Sequence, residues 1–563
     1  MTSEIFKKEV KRLLKDKLLV DNLETPKLEI GGDVALPCFF LAKKEKKPPS
    51  EIAKRLAKDL LKRNRSKMIK DIRADGPYVN FFADNSILSS YILKVILAEK
   101  EKYGSSNIGK RKRVMIEFSN PNPCKAMHIG HARTTFLGDA QSRIMSFVNY
   151  DVIRANYFND VGKQVAKEVL AFKLWGNKKP KKKPDQWLAD LYIRLHKEAK
   201  KNPALLKEAQ NLLYKFEMTD DKALKKIWKR VVSLAITGFK ETYKNLGITF
   251  DVNIFESEHK ARGKELVKRA LKKGVAFISD EKTVVVDLKK YGLPSFVILR
   301  SDGTGVYYTS DLGVTEYKFK KFKLDKAVWV VGEDQKLYFK QLFKLLELLG
   351  YKWAKNCVHM SYGLVTIKHG KMSSRAGTFV TIDDVIDKVT KLAKKEIEKK
   401  NPALKNKEKI ANDIGIGAFK FAILKAEPNR VVDFDLNEIT KFEGNTGPYV
   451  QYTHVRACSI LKKARKIPNM KLLNFSSFNE KEANIVKKLG DFPLIVKKAC
   501  EEYKPYLIAN YLLDLSSLFN DFYHACKVIG TAEEEKRLCI VKGVQIVIQN
   551  GLRLLGIKAL ENM

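Results

Sequence analysis

The chain has 563 residues, 107 Lys and Arg against 65 Asp and Glu (formal net charge +42), and is 45% hydrophobic and 10% aromatic. At roughly 100 to 200 residues per domain this implies about three or four cores, and so apolar a composition excludes a disordered or low-complexity chain. No run approaches the roughly 18 to 20 apolar residues of a membrane span, and the N-terminus has no signal-type apolar block, so a cytoplasmic protein without a membrane partner is expected. The seven cysteines, at 38, 124, 357, 458, 500, 526 and 539, form no CxxC pair, and reduced thiols are expected. The charge excess suits a phosphate polymer. It also suits a Lys-biased proteome, so motifs must choose between the two.

Residues 1–108 read as a small α+β module. MTSEIFKKEVKRLLKDKLL spaces its apolar residues as an amphipathic helix, KLEIGG and ALPCFFLAKK are β-like, and a helix is predicted from Ser50 to Arg63. An Asp75-Gly76-Pro77 turn then opens a strand on which Tyr78, Asn80 and Phe82 alternate onto one face. Ring, amide and ring either fill a core there or meet a partner.

From Lys112 the period changes. RVMIEFSN reads as a strand, NPNPCKAM as a polar loop and HIGHARTTFLGDAQSRIMSF as a helix, the opening of a doubly wound nucleotide-binding sheet. Further strands are predicted in KAVWVVG (326–332) and VHMSYGLV (358–365), with the helix KLYFKQLFKLLELLG between them. Residues of about 170–300, with the KKPKKKP run and VVVDL, read as an insertion. Beyond about residue 400 amphipathic helices predominate, and a helical bundle is expected.

Two motifs carry chemistry. His128 and His131 stand three residues apart at the expected start of a helix, beside free N–H groups and the positive end of the macrodipole, where a polyphosphate can dock. Gly130 between them has no Cβ, so a flat base can approach. Zinc would need a third ligand and a spacing such as HExxH, and neither is present. Some 240 residues later the loop from Lys368 to Gly377 places Lys371, Met372 and Ser373 between glycines, a composition that can close over phosphates.

HIGH followed by KMSSR resembles the signature pair of class I aminoacyl-tRNA synthetases, and the surroundings resemble arginyl-tRNA synthetases. The matching blocks are EFSNPNPCKAMHIGHARTTFLGDA (117–140), NYFNDVGKQVA (156–166), GVYYTSDLG (305–313), VVGEDQKLYFKQLF (330–343), HMSYGLV (359–365), KMSSRAGTFVTIDDVID (371–387) and NTGPYVQYTHVRACSI (445–460). The resemblance implies an α/β class I Rossmann-like parallel-sheet catalytic domain at 109–400, an N-terminal α+β tRNA-binding domain at 1–108 and a C-terminal all-α helical anticodon-binding bundle at 401–563.

It implies a two-step ligase: arginine and ATP give arginyl-adenylate and pyrophosphate, and the arginyl group then passes to the 2′-OH of the terminal adenosine of tRNA(Arg). The implied catalytic groups are His128, His131, Lys371 and Lys125, with ATP held by Lys125, His128, Gly130, His131, Gly363, Val365, Lys371, Met372 and Ser373, and with Mg²⁺ accompanying the nucleotide. Where many relatives carry a second loop lysine this chain has Ser374, and Lys125, just before HIGH, is expected to supply the missing charge. The implied arginine pocket is Glu117, Asn122, His131, Tyr307, Asp311 and Gln335. Asn159, Asp160, Gly162 and Gln164 are assigned to the wall of the same cleft.

A guanidinium presents five donors in a planar fork that carboxylates can meet bidentately, so no editing domain is expected. The implied tRNA contacts are Tyr78, Asn80 and Phe82 near one chain end and Tyr449, Gln451, Tyr452 and Arg456 near the other. A monomer is expected. An RNA-binding paralogue without catalysis and another HxGH nucleotidyltransferase remain as alternatives. The first is weighed down by the intact motifs, and the second would need neither terminal domain.

Overall fold

The computed structural model describes residues 4–24, 26, 32–176, 180, 182–367, 380–464, 475 and 477–563. They form two compact units, residues 1–106 with 441–502 and 507–563, and residues 107–440 with 503–506.

In the first unit β1 (Val34–Pro37), β2 (Ile69–Asp75) and β3 (Tyr78–Ala83) form an antiparallel sheet in the order β1-β3-β2. The run read as wholly β-like, ALPCFFLAKK, divides. Proline cannot donate to a ladder, so β1 ends at Pro37 and a helix, Phe39–Glu45, follows. Most of KLEIGG lies outside the described residues. The predicted helix is present at Pro49–Arg63 and buries Ile52, Ala53, Ala57 and Leu60, one face at helical spacing.

The two ends of the chain meet in this unit. The Asn85–Glu99 helix packs on Glu480–Glu501 and Glu534–Leu554. The Tyr103 hydroxyl donates to the Leu489 carbonyl (3.0 Å), and Asn550 Nδ2 donates to the carbonyls of Lys100 and Tyr103. The bonds to Leu489 and Tyr103 satisfy buried backbone groups. The N-terminal module and the closing helices, expected as separate contact regions, are therefore one body.

The second unit is built on β4 (Arg113–Glu117), β5 (Asp151–Phe158), β6 (Val252–Phe255), a small antiparallel sheet of β7 (Ala276–Ile278), β8 (Val284–Val286) and β9 (Phe296–Leu299), then β10 (Lys326–Gly332) and β11 (Cys357–Tyr362). Five strands run parallel in the order β11-β10-β4-β5-β6. Chain order reverses between β4 and β10, which makes a topological switch point at the carboxyl end of β4. The fifth strand, β6, comes from the stretch read as an insertion.

VHMSYGLV also divides. β11 ends at Tyr362, and β12 (Val365–Ile367) pairs instead with β13 (Val432–Phe434). Gly363 makes that turn, because a Cβ there would stand 2.7 Å from the Asn429 carbonyl oxygen and 2.8 Å from that of Arg430. Helix Lys407–Leu424, which periodicity alone grouped with the closing bundle, lies in this unit. Phe419 meets Phe136 edge-on at 5.1 Å. The fully buried Arg133 donates to the carbonyls of Ile423 (2.5 Å), Glu427 (2.9 Å) and Pro428 (2.8 Å), a guanidinium closing the negative end of a helix.

Candidate active site

The HIGH motif opens the helix Ile129–Phe147 directly after the switch point. His128 is the N-cap, and its Nδ1 accepts from the Gly130 N–H (3.1 Å), while Nδ1 of His131 accepts from the His128 N–H (3.2 Å). The two imidazoles thus take the parts that a hydroxyl and a carboxylate play in an ordinary capping box. The rings lie 4.0 Å apart. Burial, then the nearby Lys125 charge, lowers His128 to about 4, and burial, His128 and Lys125 hold His131 well below the ordinary range. Both rings are neutral near pH 7. With Nδ1 accepting, the single proton of each sits on Nε2, leaving two preset N–H donors. A Cβ on Gly130 would approach His128 Cε1 to 2.9 Å, so a side chain there would displace the ring.

The loop entering this helix is held in an unusual conformation. Ser119 and Asn120 both have left-handed φ, 73° and 45°, a conformation that costs a non-glycine residue free energy and persists only when held. Ser119 Oγ accepts from Thr135 (2.9 Å) and bonds the Tyr243 hydroxyl (2.7 Å). Asn120 Oδ1 accepts from the Tyr157 N–H (2.9 Å). Asn122 anchors the next turn by accepting from the Cys124 N–H (3.2 Å), and its amide reaches Gln164 at 3.4 Å.

Lys371, Met372 and Ser373 lie outside the described residues. Their neighbours are fixed against the HIGH loop on one side: the Ile129 N–H donates to the Val380 carbonyl (3.3 Å) and the Ile382 N–H to the Met127 carbonyl (2.9 Å). Val365, on the other side, is buried in the β12–β13 pair.

Acids gather at the carboxyl ends of three neighbouring strands. Glu117 ends β4, Asp160 follows β5 and Glu256 follows β6. Asp311 joins them from the helix Tyr307–Phe322. All four lie close enough to the buried Tyr157 hydroxyl to oppose its ionisation. Each acid has its own donors. Glu117 pairs with the buried ammonium of Lys318. Asp160 accepts from Ser257 N–H (2.9 Å) and Oγ (2.6 Å), and Glu256 from Ser310 (3.0 Å) and Asn159 (2.8 Å). Asp311 accepts from the Tyr338 hydroxyl. Loss of solvent, reinforced by Glu117 and Glu256 and opposed by Tyr338 and Lys318, pushes Asp311 up to about 7. A region holding four acids and one ammonium favours a cation.

The other expected pocket residues are less enclosed. Tyr307 is 74% exposed at the first turn of its helix, and Gln335 is exposed after β10, its amide on Asp334 (2.8 Å). Gly162, with φ 128°, precedes the helix Lys163–Trp175. Among the expected RNA contacts, Tyr78, Asn80 and Phe82 do share a face, yet Asn80 is covered to 1% exposure. Phe82 lies under the Arg73 guanidinium (5.2 Å). Gln451 is fully buried and donates to the Lys558 carbonyl (2.9 Å), so its amide ties down the C-terminal residues. Arg456 lies over the rings of Tyr452 (5.1 Å) and Tyr523 (4.8 Å), and Asn520 links it to the Tyr449 hydroxyl.

Glu256, Ser310 and Lys318 did not stand out in the sequence. A spacing of seven from Asp311 puts Lys318 on the same helix face, but FKKFK offers neighbouring lysines with no mark to tell them apart.

Residues 92–437 match the family described as class I (R) tRNA synthetase catalytic domain, residues 450–563 the DALR anticodon binding domain, and residues 2–83 the arginyl tRNA synthetase N-terminal domain. A parallel sheet with HIGH at its switch point and these matches define a class I aminoacyl-tRNA synthetase. The chain is 38% identical to an arginine–tRNA ligase of Halothermothrix orenii over 96% of this chain and 95% of the other, and 38% identical to arginine–tRNA ligase 1 of Bacillus cereus over 100% and 98%. It is similar to the solved Thermus thermophilus arginyl-tRNA synthetase, with TM-score 0.83 and 28% identity over the whole of both chains. This chain belongs to the arginyl-tRNA synthetase family.

Proposed function

We propose that the chain attaches L-arginine to the 2′-OH of the terminal adenosine of tRNA(Arg) through an arginyl-adenylate. The observation that carries this reading is the meeting of Glu117, Asp160, Glu256 and Asp311 at the carboxyl ends of the strands that flank the HIGH helix. The guanidinium lies between Glu256 and Asp311, whose hydrogen-bond partners are neutral donors. Asn122, Tyr307, Gln335 and the ring of His131 line the rest of the amino-acid site.

In the first step the arginine carboxylate attacks the α-phosphorus of ATP, the α–β phosphoanhydride breaks, and pyrophosphate leaves with the bond electrons. The Nε2–H groups of His128 and His131 donate to the oxygens that gain charge there, already oriented before reaction. Lys125 and Lys371 neutralise the departing phosphates, and Gly130, Gly363, Val365, Met372 and Ser373 shape the nucleotide site. Mg²⁺ enters bound to the triphosphate as its hard counter-ion. Among the described residues, no group of three or more His, Cys, Asp or Glu side chains is arranged to hold a metal.

The tRNA meets a basic surface on which Tyr78, Phe82, Tyr449, Tyr452 and Arg456 offer stacking planes. Asn80 and Gln451, both buried, are left out of this contact set. No helix among the described residues is long and apolar enough to cross a membrane, and we place the enzyme in the cytoplasm as a monomer. Aminoacylation of total tRNA with each of the twenty amino acids tests the reading. Charging by arginine alone is expected, and charging by another amino acid, or by none, would overturn it.

A further inference from the structure

The four acids are not equivalent. Lys318 is 2% exposed, its ammonium pairs with Glu117, and it stands 5.6 Å from the Tyr157 ring centroid and 5.1 Å from that of Trp329. The ammonium is thus bound by one acid and two aromatic faces, a fixed buried cation inside the region that must receive a second one. Among the described residues, Asp160, Glu256 and Asp311 have no ion pair there, only hydroxyl, amide and backbone donors.

Two buried cations repel strongly where water is excluded, so a guanidinium seated against Glu117 would sit beside Lys318. One seated against Glu256 and Asp311 meets carboxylates that make no ion pair with that ammonium among the described residues, although its charge still acts on Asp311.

We propose that Lys318 is a positioning residue of the arginine site, an internal counter-ion that takes Glu117 out of contention for the guanidinium and so fixes substrate register on Glu256 and Asp311. This rests on the arginine reading above. Without Lys318, Glu117 becomes a third, competing carboxylate beside the HIGH loop. Arginine then binds in more than one register, and fewer bound molecules point their carboxylate at the α-phosphate. Without Glu117, the bare Lys318 ammonium repels the incoming guanidinium.

The test measures arginine-dependent pyrophosphate exchange on the full chain in the presence of tRNA(Arg), per active site, in wild type, Lys318→Met, Lys318→Arg, Glu117→Gln and the double variant Lys318→Met/Glu117→Gln. Wild type is measured first, with and without tRNA: no exchange under either condition sinks the parent reading and this proposal with it, whereas exchange in wild type with the variant pattern absent sinks the proposal alone. Lys318→Met is expected to lower kcat about tenfold or more with little rise in KM for arginine, and Lys318→Arg to restore most of it. Glu117→Gln is expected to raise KM about tenfold or more, and the double variant to recover most of that rise because both charges are gone.

A double variant as impaired in KM as Glu117→Gln would make Glu117 a direct ligand and overturn the proposal. So would single variants that lose thermal stability while keeping kcat and KM, since that marks a purely structural pair. If Lys318→Met does not fold, Glu117→Gln against the double variant carries the test alone.

Discussion

Two regions at the same edge of the sheet are tuned in opposite ways. At the start of the HIGH helix, burial and Lys125 remove charge from two imidazoles, so that His128 titrates at about 4 and both rings offer neutral N–H donors. Around Tyr157, loss of solvent and then the neighbouring acids Glu117 and Glu256 raise Asp311 to about 7, and the four acids outnumber the one ammonium there. The helix terminus explains the first choice: its positive end disfavours an imidazolium, and each Nδ1 is occupied by an orphan backbone N–H. The second follows from the substrate, since a guanidinium keeps its charge throughout and can be met by fixed carboxylates. Phosphate chemistry is thus assigned to oriented dipoles, and amino-acid choice to net charge.

Separate tuning implies separable losses. Asp311→Asn should bring the largest, about 10³-fold in kcat/KM for arginine, because a buried charge pair loses one partner. Arginine-dependent pyrophosphate exchange checks it, and an equal rise in KM for ATP would merge the two regions into one. His128→Ala should cost about 10² to 10³ in kcat through loss of one preset donor, with KM for arginine little changed. Loss of the cap should also lower stability by about 1 kcal/mol, read from thermal unfolding. Lys125→Ala should have a smaller effect, about 10- to 100-fold in adenylate formation, while tRNA affinity stays near wild type. Equal losses in adenylate formation and tRNA binding would remove Lys125 from the phosphate site.

Much of the phosphate side was legible in the sequence and little of the charge balance was. RVMIE, the polar loop and the HIGH helix declare themselves because a short continuous apolar run gives way, across a Pro-rich break, to a helical period. The strands β5 and β6 do not: DVIRANYF interleaves polar residues, and VNIF is only four residues long. Missing β6 hid Glu256, which follows it directly. Asp311 could be placed by family resemblance, but its donor Tyr338 and the inward turn of Lys318 depend on packing between distant segments. Asn80 and Gln451 show the converse. Their residue types suit RNA, yet cross-strand neighbours and the C-terminal residues cover them.

The clearest test of this division is the pH dependence of arginine activation in wild type, followed by pyrophosphate exchange with tRNA(Arg) present between pH 5.5 and 8.5. Asp311 must be ionised to hold a guanidinium, so affinity should be full above about pH 7 and fall as pH drops. KM for arginine should rise up to about tenfold per unit below that point, while kcat stays level because both histidines are already neutral. A KM that is flat across this range, with the acid limb carried by kcat instead, would contradict it.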